Sequence, residues 1–227
     1  MMTDLGPRIL FEDTHLAVFS KPSGLLSQGD ISGEPNLVDW LRDHFGRHYV
    51  GLIHRLDRNT SGVMVAAKRS KAADRLSEAL REGSLKRTYR AWLVGSVPPE
   101  ARCWRHFLFK DEKRNESRVV DSSFPGAKEA GLSLKVLGRS QRLGHVLTLA
   151  EIRLETGRSH QIRVQTAYEG YPLLGDVKYG VHRGEAWSAS FGRPALHSFA
   201  IEFPHPMSGE ILKIEDPLPP DMAALEP

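Results

Sequence analysis

An aspartate flanked by two arginines is the residue of this sequence best placed to do chemistry. Asp57 lies between Arg55 and Arg58 in the segment GLIHRLDRNTSGVMVAAK, and an apolar run from Val63 to Ala67 follows it. Nearby cations favour the ionised form of a carboxyl group, and the apolar run predicts a buried strand that would hold the loop still. Such an aspartate is either half of a structural ion pair or a nucleophile or base.

Two further stretches place reactive side chains on regular elements. The segment KRTYRAWLVG, from Lys86 to Gly95, has the alternation of a strand and carries Tyr89,. A tyrosine there is either a core residue or part of a site. The segment ETGRSHQIRVQTAYEGYP predicts a turn and a helix that is unusually polar for a packing element, with Arg158, His160, Gln161, Arg163 and Gln165 in two turns,.

The elements that must position these residues are mostly strands. We expect a hairpin over Arg8 to Phe19, an antiparallel meander from about Pro98 to Gly144, and further strands over Val146 to Glu155, Ala195 to Phe203 and EILKIEDPL,. Helices are expected after a cap at Asn36, from a cap at Ser70 to Gly83, and ending at Gly170,. The pattern predicts a single α+β domain with a mixed or antiparallel central sheet and few short helices.

Positive charge is concentrated around Asp57. The chain carries a formal net charge of only +3, but the stretch from Arg42 to Arg90 holds twelve Lys/Arg against five Asp/Glu. A local excess of this kind is typical of a surface that binds RNA or another phosphate-bearing ligand. The alternative is a solvated helix face, since Lys71, Arg75 and Arg81 could simply point to water.

Several classes of protein are excluded by missing parts. The HRLD tetrapeptide lacks the glycine loop and DFG of a protein kinase, and the sequence has no GxSxG, GxxxxGK[ST] or GxGxxG motif,. Cys103 is the only cysteine and the ten histidines are scattered, so we expect no disulfide, metal or cofactor,. No signal peptide and no long apolar run is present, which predicts a soluble cytoplasmic protein without a membrane partner.

Six motifs in a fixed order resemble those of the RluA-type pseudouridine synthases. They begin at Lys21, His54, Lys86, Thr156, Gly170 and Leu196 and read KPSGLL, HRLDRNTSGV, KRTY, TGRSHQIRVQ, GYPLLGDVKYG and LHSFAIEFPHP. The resemblance departs from the family pattern at Gln165 and Tyr171, where histidines are expected, and we expect these positions to affect RNA or loop contacts more than chemistry.

The resemblance implies the pseudouridine synthase fold and the cofactor-free isomerisation of a uridine in rRNA or tRNA. It implies that Asp57 is the catalytic aspartate, attacking C6 of uracil or C1′ of ribose or acting through a glycal. Tyr89 matches the tyrosine that stacks on the flipped base, and Arg163 the basic partner of the aspartate. Leu196 matches the apolar residue of the base pocket, and Arg55 the arginine that fills the space left by the base. Further substrate-binding candidates are Arg58, His160 and Gln161.

The resemblance also predicts the domain organisation and partners. Residues 21–220 would form the catalytic domain, with a segment 1–20 before it and a tail 221–227 after it. The segment before Lys21 is too short for the S4-type RNA-binding domain of many relatives, so the catalytic domain would bind an RNA stem-loop with no obligatory protein partner. Two alternatives stay open: an RNA-binding protein of the same fold without catalysis, and an enzyme that keeps only the fold.

Overall fold

The chain folds as a single α+β domain with a mixed sheet and few short helices, as the sequence predicts. The computed structural model describes residues 6–46, 49–100, 102–142, 144–180, 188 and 190–226. The first five residues of the predicted N-terminal segment and the last residue of the predicted tail lie outside these ranges. Two compact units can be recognised within the domain, Met1–Arg87 with His197–Pro217 and Thr88–Leu196 with Leu218–Pro227.

The first unit has a mixed sheet with the strand order β1-β2-β4-β10, in which β11 pairs with β10 and β3 with β4. Only the β4–β10 pairing is parallel among these. The strands and helices are β1 Arg8–Glu12, β2 Leu16–Lys21, α1 Leu37–Phe45, β3 Gly51–Leu52, β4 Ser61–Ala67, α2 Ser70–Glu82, β10 Leu196–Pro204 and β11 Ile211–Glu215.

Local sequence explains the ends of these elements. The predicted hairpin is confirmed, and the carboxylate of Asp13 closes its turn by accepting from the backbone N–H of Leu16 at 2.8 Å. Asn36 caps α1 as predicted. Gly83 ends α2 in the left-handed conformation (φ 79°), also as predicted, but the N-cap position belongs to Arg69 rather than Ser70. The predicted cap is one residue too late because Ser70 already has helical backbone.

The parallel β4–β10 pair is fixed by close contact and by buried polar side chains. A Cβ on Gly62 would lie 2.2 Å from the carbonyl oxygen of Ser198, so only glycine fits there,. Ser61 Oγ and His197 Nδ1 lie 2.9 Å apart across the pair. All seven residues of β4 are buried, which makes this strand a rigid continuation of the loop that carries Asp57.

The second unit is an antiparallel sheet with the strand order β5-β9-β8-β6-β7. The predicted antiparallel strands are confirmed, but they do not form a simple meander, because β8 pairs with β6 and not with β7. Its elements are β5 Lys86–Val94, β6 Arg102–Asp111, β7 Glu116–Val120, β8 Lys128–Arg142, β9 His145–Leu154, α3 Gln161–Tyr168 and α4 Pro220–Ala223. The predicted domain boundary at residue 20 falls inside β2, and both β1 and β2 belong to the same unit as the Asp57 loop.

Candidate active site

Asp57 lies in a loop whose backbone is held from both sides. The loop joins β3 to β4, and Asp57 itself is half-buried. Ser27 Oγ donates to the carbonyl of Leu56 at 2.6 Å and accepts from the N–H of Leu56 at 3.2 Å. The carbonyl of Asp57 accepts from the N–H of Thr60 at 3.0 Å. The carboxylate is therefore carried on backbone that has little freedom to move.

A fully buried lysine braces the same loop. Lys21, at 0% exposure, donates from Nζ to the carbonyls of Pro22 at 2.9 Å, Leu25 at 2.8 Å and Arg58 at 2.9 Å. Its ammonium uses its three donors on carbonyl oxygens, which offsets the cost of burying the charge. Sequence analysis did not single out Lys21 as a functional residue, although it is the first residue of the KPSGLL motif.

The two arginines beside Asp57 have different environments. Arg58 donates from Nη1 to Glu34 at 3.0 Å and from Nε to the carbonyl of Gly24 at 3.0 Å, and its Nη2 also contacts Glu34. The guanidinium of Arg58 therefore joins loops of the protein, and its predicted contact with substrate stays a prediction. Arg55 is exposed and makes no side-chain hydrogen bond with the described part of the chain.

Tyr89 and Leu196 are buried strand residues. Tyr89 lies on β5, is 4% exposed and pairs with Ile152 of β9. Leu196 is 4% exposed and begins β10. Its carbonyl accepts from Arg193 Nη1 at 3.5 Å. Both residues lie on strands of the sheet.

Arg163 is one half of a buried bidentate ion pair. It lies on α3 and donates from Nε to Asp176 Oδ2 at 2.7 Å and from Nη2 to Asp176 Oδ1 at 2.9 Å. The guanidinium carbon also lies 5.1 Å from the centre of the Tyr179 ring. Sequence reasoning missed Asp176, which belongs to the GYPLLGDVKYG motif. The contact fixes the plane and direction of the guanidinium.

His160 and Gln161 begin α3 and hold its first turn in place. His160 has a left-handed backbone (φ 53°), and its Nδ1 lies 2.6 Å from the hydroxyl of Tyr179. Gln161 is 3% exposed, and its amide bonds to Thr156 Oγ1 at 2.8 Å and to the carbonyl of Gly131 at 3.0 Å. The polar atoms of the Gln161 side chain bond inside the protein, and its expected substrate-binding role stays a prediction.

The two departures from the family pattern also face inward or pack locally. Gln165 is fully buried, and its Nε2 lies 2.9 Å from His106 Nδ1 and 3.2 Å from the carbonyl of Ala130. Tyr171 is half-buried and packs near Gly95. The amide of Gln165 connects α3 to the sheet of its own unit, and its expected effect on RNA or loop contacts stays a prediction.

No three metal-ligating side chains come together in the described ranges of the chain. In the same ranges, no helix is both long enough and apolar enough to cross a membrane.

Comparison with known proteins agrees with the motifs. A sequence model of the family described as RNA pseudouridylate synthase matches residues 15–168. The ribosomal large subunit pseudouridine synthase C of Pasteurella multocida is 36% identical over 225 residues, which is 97% of this chain and 67% of that protein. The ribosomal large subunit pseudouridine synthase D of Nitrosomonas europaea is 36% identical over 231 residues, covering 96% of this chain and 64% of that protein.

Solved structures extend the likeness to the fold. Human RNA pseudouridylate synthase domain containing 4 matches with a TM-score of 0.73 and 27% identity over 95% of this chain and 90% of that one. Human RNA pseudouridylate synthase domain containing 1 matches with a TM-score of 0.78 and 23% identity over 96% of this chain and 87% of that one, a likeness of fold. The chain belongs to the RNA pseudouridylate synthase family. It is an isomerase that acts on RNA.

Proposed function

We propose that this protein converts a specific uridine in large-subunit ribosomal RNA to pseudouridine, with Asp57 as its nucleophile. The observation that carries the assignment of Asp57 is the braced loop: Lys21 and Ser27 hold its backbone on either side of the half-buried carboxylate. A positioned carboxylate of this kind suits attack on an electrophilic carbon. The RNA target rests on relatives that are named for the large ribosomal subunit.

The reaction needs no redox partner. The bond between N1 of uracil and C1′ of ribose breaks, the base rotates, and a bond from C5 to C1′ forms. The proton on C5 is then lost and N1 gains one, so that atoms and electrons balance within the substrate. Asp57 attacks C6 or C1′, or acts through a glycal.

Four further residues complete the proposed site. Tyr89 stacks on the base and moves the C5 proton, while Leu196 lines the apolar wall of the base pocket. Arg163 serves as the cationic partner of Asp57. Arg55 enters the stack that the flipped uridine leaves, because a planar guanidinium can stack and donate hydrogen bonds at once.

The proposed substrate is a stem-loop, and the protein would meet it in the cytoplasm. The basic stretch around Asp57 supports binding to phosphates,. A transfer RNA target and an inactive RNA-binding protein are the alternatives that the experiment must separate.

The test is to map pseudouridines in total RNA from cells with and without the protein, and then to repeat the reaction on transcripts in vitro. Asp57→Asn should abolish product while leaving the fold and RNA affinity intact, since an amide is nearly isosteric but a poor nucleophile. Asp74→Asn is the matched control, because Asp74 is an exposed residue of α2.

The results separate the alternatives. If the pseudouridine missing from cells without the protein lies in a transfer RNA, the substrate is transfer RNA and not ribosomal RNA. RNA binding without any product would favour the alternative of an inactive RNA-binding protein. Turnover by Asp57→Asn would remove the catalytic assignment, and its unfolding would make Asp57 a structural ion-pair residue.

A further inference from the structure

Arg87 is a buried cation that the described part of the protein leaves without a partner. It lies on β5 and is 8% exposed. Its Nε is buried without a hydrogen bond, whereas its two terminal nitrogens are not among the buried atoms without a partner. Burying an unpaired ion is costly, so an arrangement of this kind needs an explanation.

Other cations with buried donor atoms have partners within the protein. Lys21 donates to three carbonyls, and Arg163 forms a bidentate pair with Asp176. Arg102 also has a buried Nε without a bond, but its Nη2 lies 3.6 Å from a carboxylate oxygen of Glu100. The fold is therefore able to supply partners for its charges, and Arg87 differs from these cations.

His54 lies close enough to Arg87 for the arginine's charge to act on it. It is 7% exposed, and neither of its ring nitrogens has a hydrogen-bond partner. Burial, with the charge of Arg87 as a second cause, lowers the pKa of His54 to about 3. The ring is therefore neutral at physiological pH, and both of its nitrogens are buried inside the protein.

Arg87 shares strand β5 with Tyr89, a residue of the proposed site. Arg87 precedes Tyr89 by two positions on β5, and residues two apart on a strand point to the same face. The alternating burial along the start of β5 agrees with a shared face. His54 precedes Asp57 by three residues in the loop before β4. Arg87 and His54 therefore come from the two segments that carry the proposed nucleophile and the proposed stacking tyrosine.

We propose that the guanidinium of Arg87 forms a binding subsite for a phosphodiester group of the substrate RNA close to the target uridine. The inference rests on the proposed function and adds a contact to it. An anion is the ligand that an unpaired buried cation requires, and a guanidinium can donate two parallel N–H bonds to phosphate oxygens.

The first experiment measures RNA affinity in the Asp57→Asn background, so that turnover does not interfere. The probe is in vitro transcribed large-subunit ribosomal RNA, titrated at several salt concentrations. Arg87→Gln should weaken binding about tenfold or more, as expected for loss of a charge-assisted contact. The slope of log K against log salt should become less steep by about 0.7, the value for one phosphate of a single strand.

A matched control separates a specific contact from loss of general positive charge. Arg114 is an exposed residue of the turn between β6 and β7, outside the basic stretch around Asp57. Arg114→Gln removes the same charge and should change affinity by about twofold or less. Equal affinity and equal salt slope for Arg87→Gln and the parent protein would overturn the proposal, and so would equal losses in the two variants.

Stability provides an independent readout. Because the charge of Arg87 is unpaired in the free protein, Arg87→Gln should leave the urea midpoint unchanged or raise it. A purely structural arginine predicts the reverse, a lower midpoint with unchanged binding by the folded fraction. That result would overturn the subsite.

The RNA side supplies a second test in case Arg87→Gln does not fold. Short RNAs are made with a neutral methylphosphonate at one phosphate at a time around the mapped uridine. One of these RNAs should bind the Asp57→Asn protein about tenfold less tightly than unmodified RNA does. When Arg87→Lys is added to that protein, the difference in affinity between the two RNAs should become smaller, because lysine lacks the two parallel N–H donors. Equal affinity at every position would overturn the proposal. Since the salt titrations and the urea midpoints do not read product, failure of the proposed isomerisation is distinguishable from failure of the subsite.

Discussion

Arg163 and Asp176 form a two-pronged ion pair with N–O distances of 2.7 and 2.9 Å, in which the side chain of Asp176 is only 1% exposed. Oδ1 of Asp176 also accepts from the backbone N–H groups of Lys178 and Tyr179 at 3.1 and 3.2 Å. The carboxylate of Asp176 thus fixes the orientation of the Arg163 guanidinium. It also holds the backbone of the loop after Gly175 through the two N–H groups. Asp176 is a positioning residue for Arg163.

The first prediction is that Asp176→Asn lowers kcat with little change in KM. Its amide offers only one oxygen, so the guanidinium of Arg163 is no longer fixed in two directions. We expect a loss of about 10- to 100-fold in kcat at a temperature where the variant is folded, and a lower free energy of unfolding by up to about 3–5 kcal/mol. Because the two residues act as a unit, Arg163→Met with Asp176→Asn should cost little more than Arg163→Met alone.

The control for this prediction is a similar pair at the surface. Arg193 donates to Asp221 at 2.7 and 2.9 Å, but the Asp221 side chain is 42% exposed. Asp221→Asn should therefore change neither kcat nor KM appreciably. Full activity of Asp176→Asn, or additive losses in the double variant, would contradict the positioning role.

A second prediction concerns the hydroxyl of Tyr89. Tyr89→Phe keeps the ring and its packing on β5, so RNA binding should persist, while product formation in a single turnover should slow by about 10²-fold, the lower range for a proton-transfer group. Tyr168→Phe is the control, since Tyr168 is 64% exposed. If Tyr89 is only a core residue, its phenylalanine variant will match the control.

The elements that local sequence specifies could be predicted, because their determinants lie within a few residues of each other. The cap at Asn36, the left-handed Gly83 and the alternation along β5 are of this kind. Resemblance supplied the roles of Asp57 and Tyr89, which spacing alone left open between structure and chemistry.

What the sequence did not show are contacts between residues far apart in the chain. Proximity in sequence predicts Arg58 beside Asp57, but Arg58 bonds to Glu34, 24 residues away. The amide of Gln161 bonds to Gly131, 30 residues away, and that of Gln165 to His106, 59 residues away. Local spacing carries no information about such partners, so exposed and internally satisfied polar residues look the same in the sequence.

A third prediction concerns the neutral, buried His54. Burial, and next the charge of Arg87, lowers its pKa to about 3, whereas a histidine in the unfolded chain titrates near 6.5,. Below pH 6.5 the unfolded chain therefore binds a proton that the folded chain does not. The contribution of neutral His54 to the free energy of unfolding is fully present above pH 6.5. It is lost as the pH falls towards 3, by about 1.4 kcal/mol per pH unit.

The measurement is urea unfolding from pH 7.5 to 4, comparing the wild type with His54→Phe. As the pH falls, the free energy of unfolding of His54→Phe should decrease less steeply than that of the wild type, by a slope that corresponds to at most one proton. The difference between the two proteins at pH 7.5 gives the effect of the substitution itself. If the two proteins lose stability in parallel as the pH falls, the pKa of His54 is not lowered by folding. Increasing stability of the wild type relative to the variant as pH falls would be the opposite of the expected sign.

The last prediction distinguishes two roles for Arg55. Its side chain is exposed and makes no hydrogen bond with the described part of the chain, which suits a residue that contacts RNA. Taking a uridine out of a stacked loop costs on the order of a few kcal/mol, and a guanidinium stacked in the gap can offset part of that cost. Arg55→Ala should therefore slow the reaction on a structured stem-loop about tenfold more than on a short unstructured RNA, in which the uridine is already unstacked.

The control is Arg81→Ala, which removes an exposed arginine of α2 and should affect both substrates equally. If Arg55 instead keeps Asp57 ionised, both RNAs should suffer alike and activity should recover as the pH rises. Equal losses with a displaced acid limb of the pH profile would therefore contradict the stacking role.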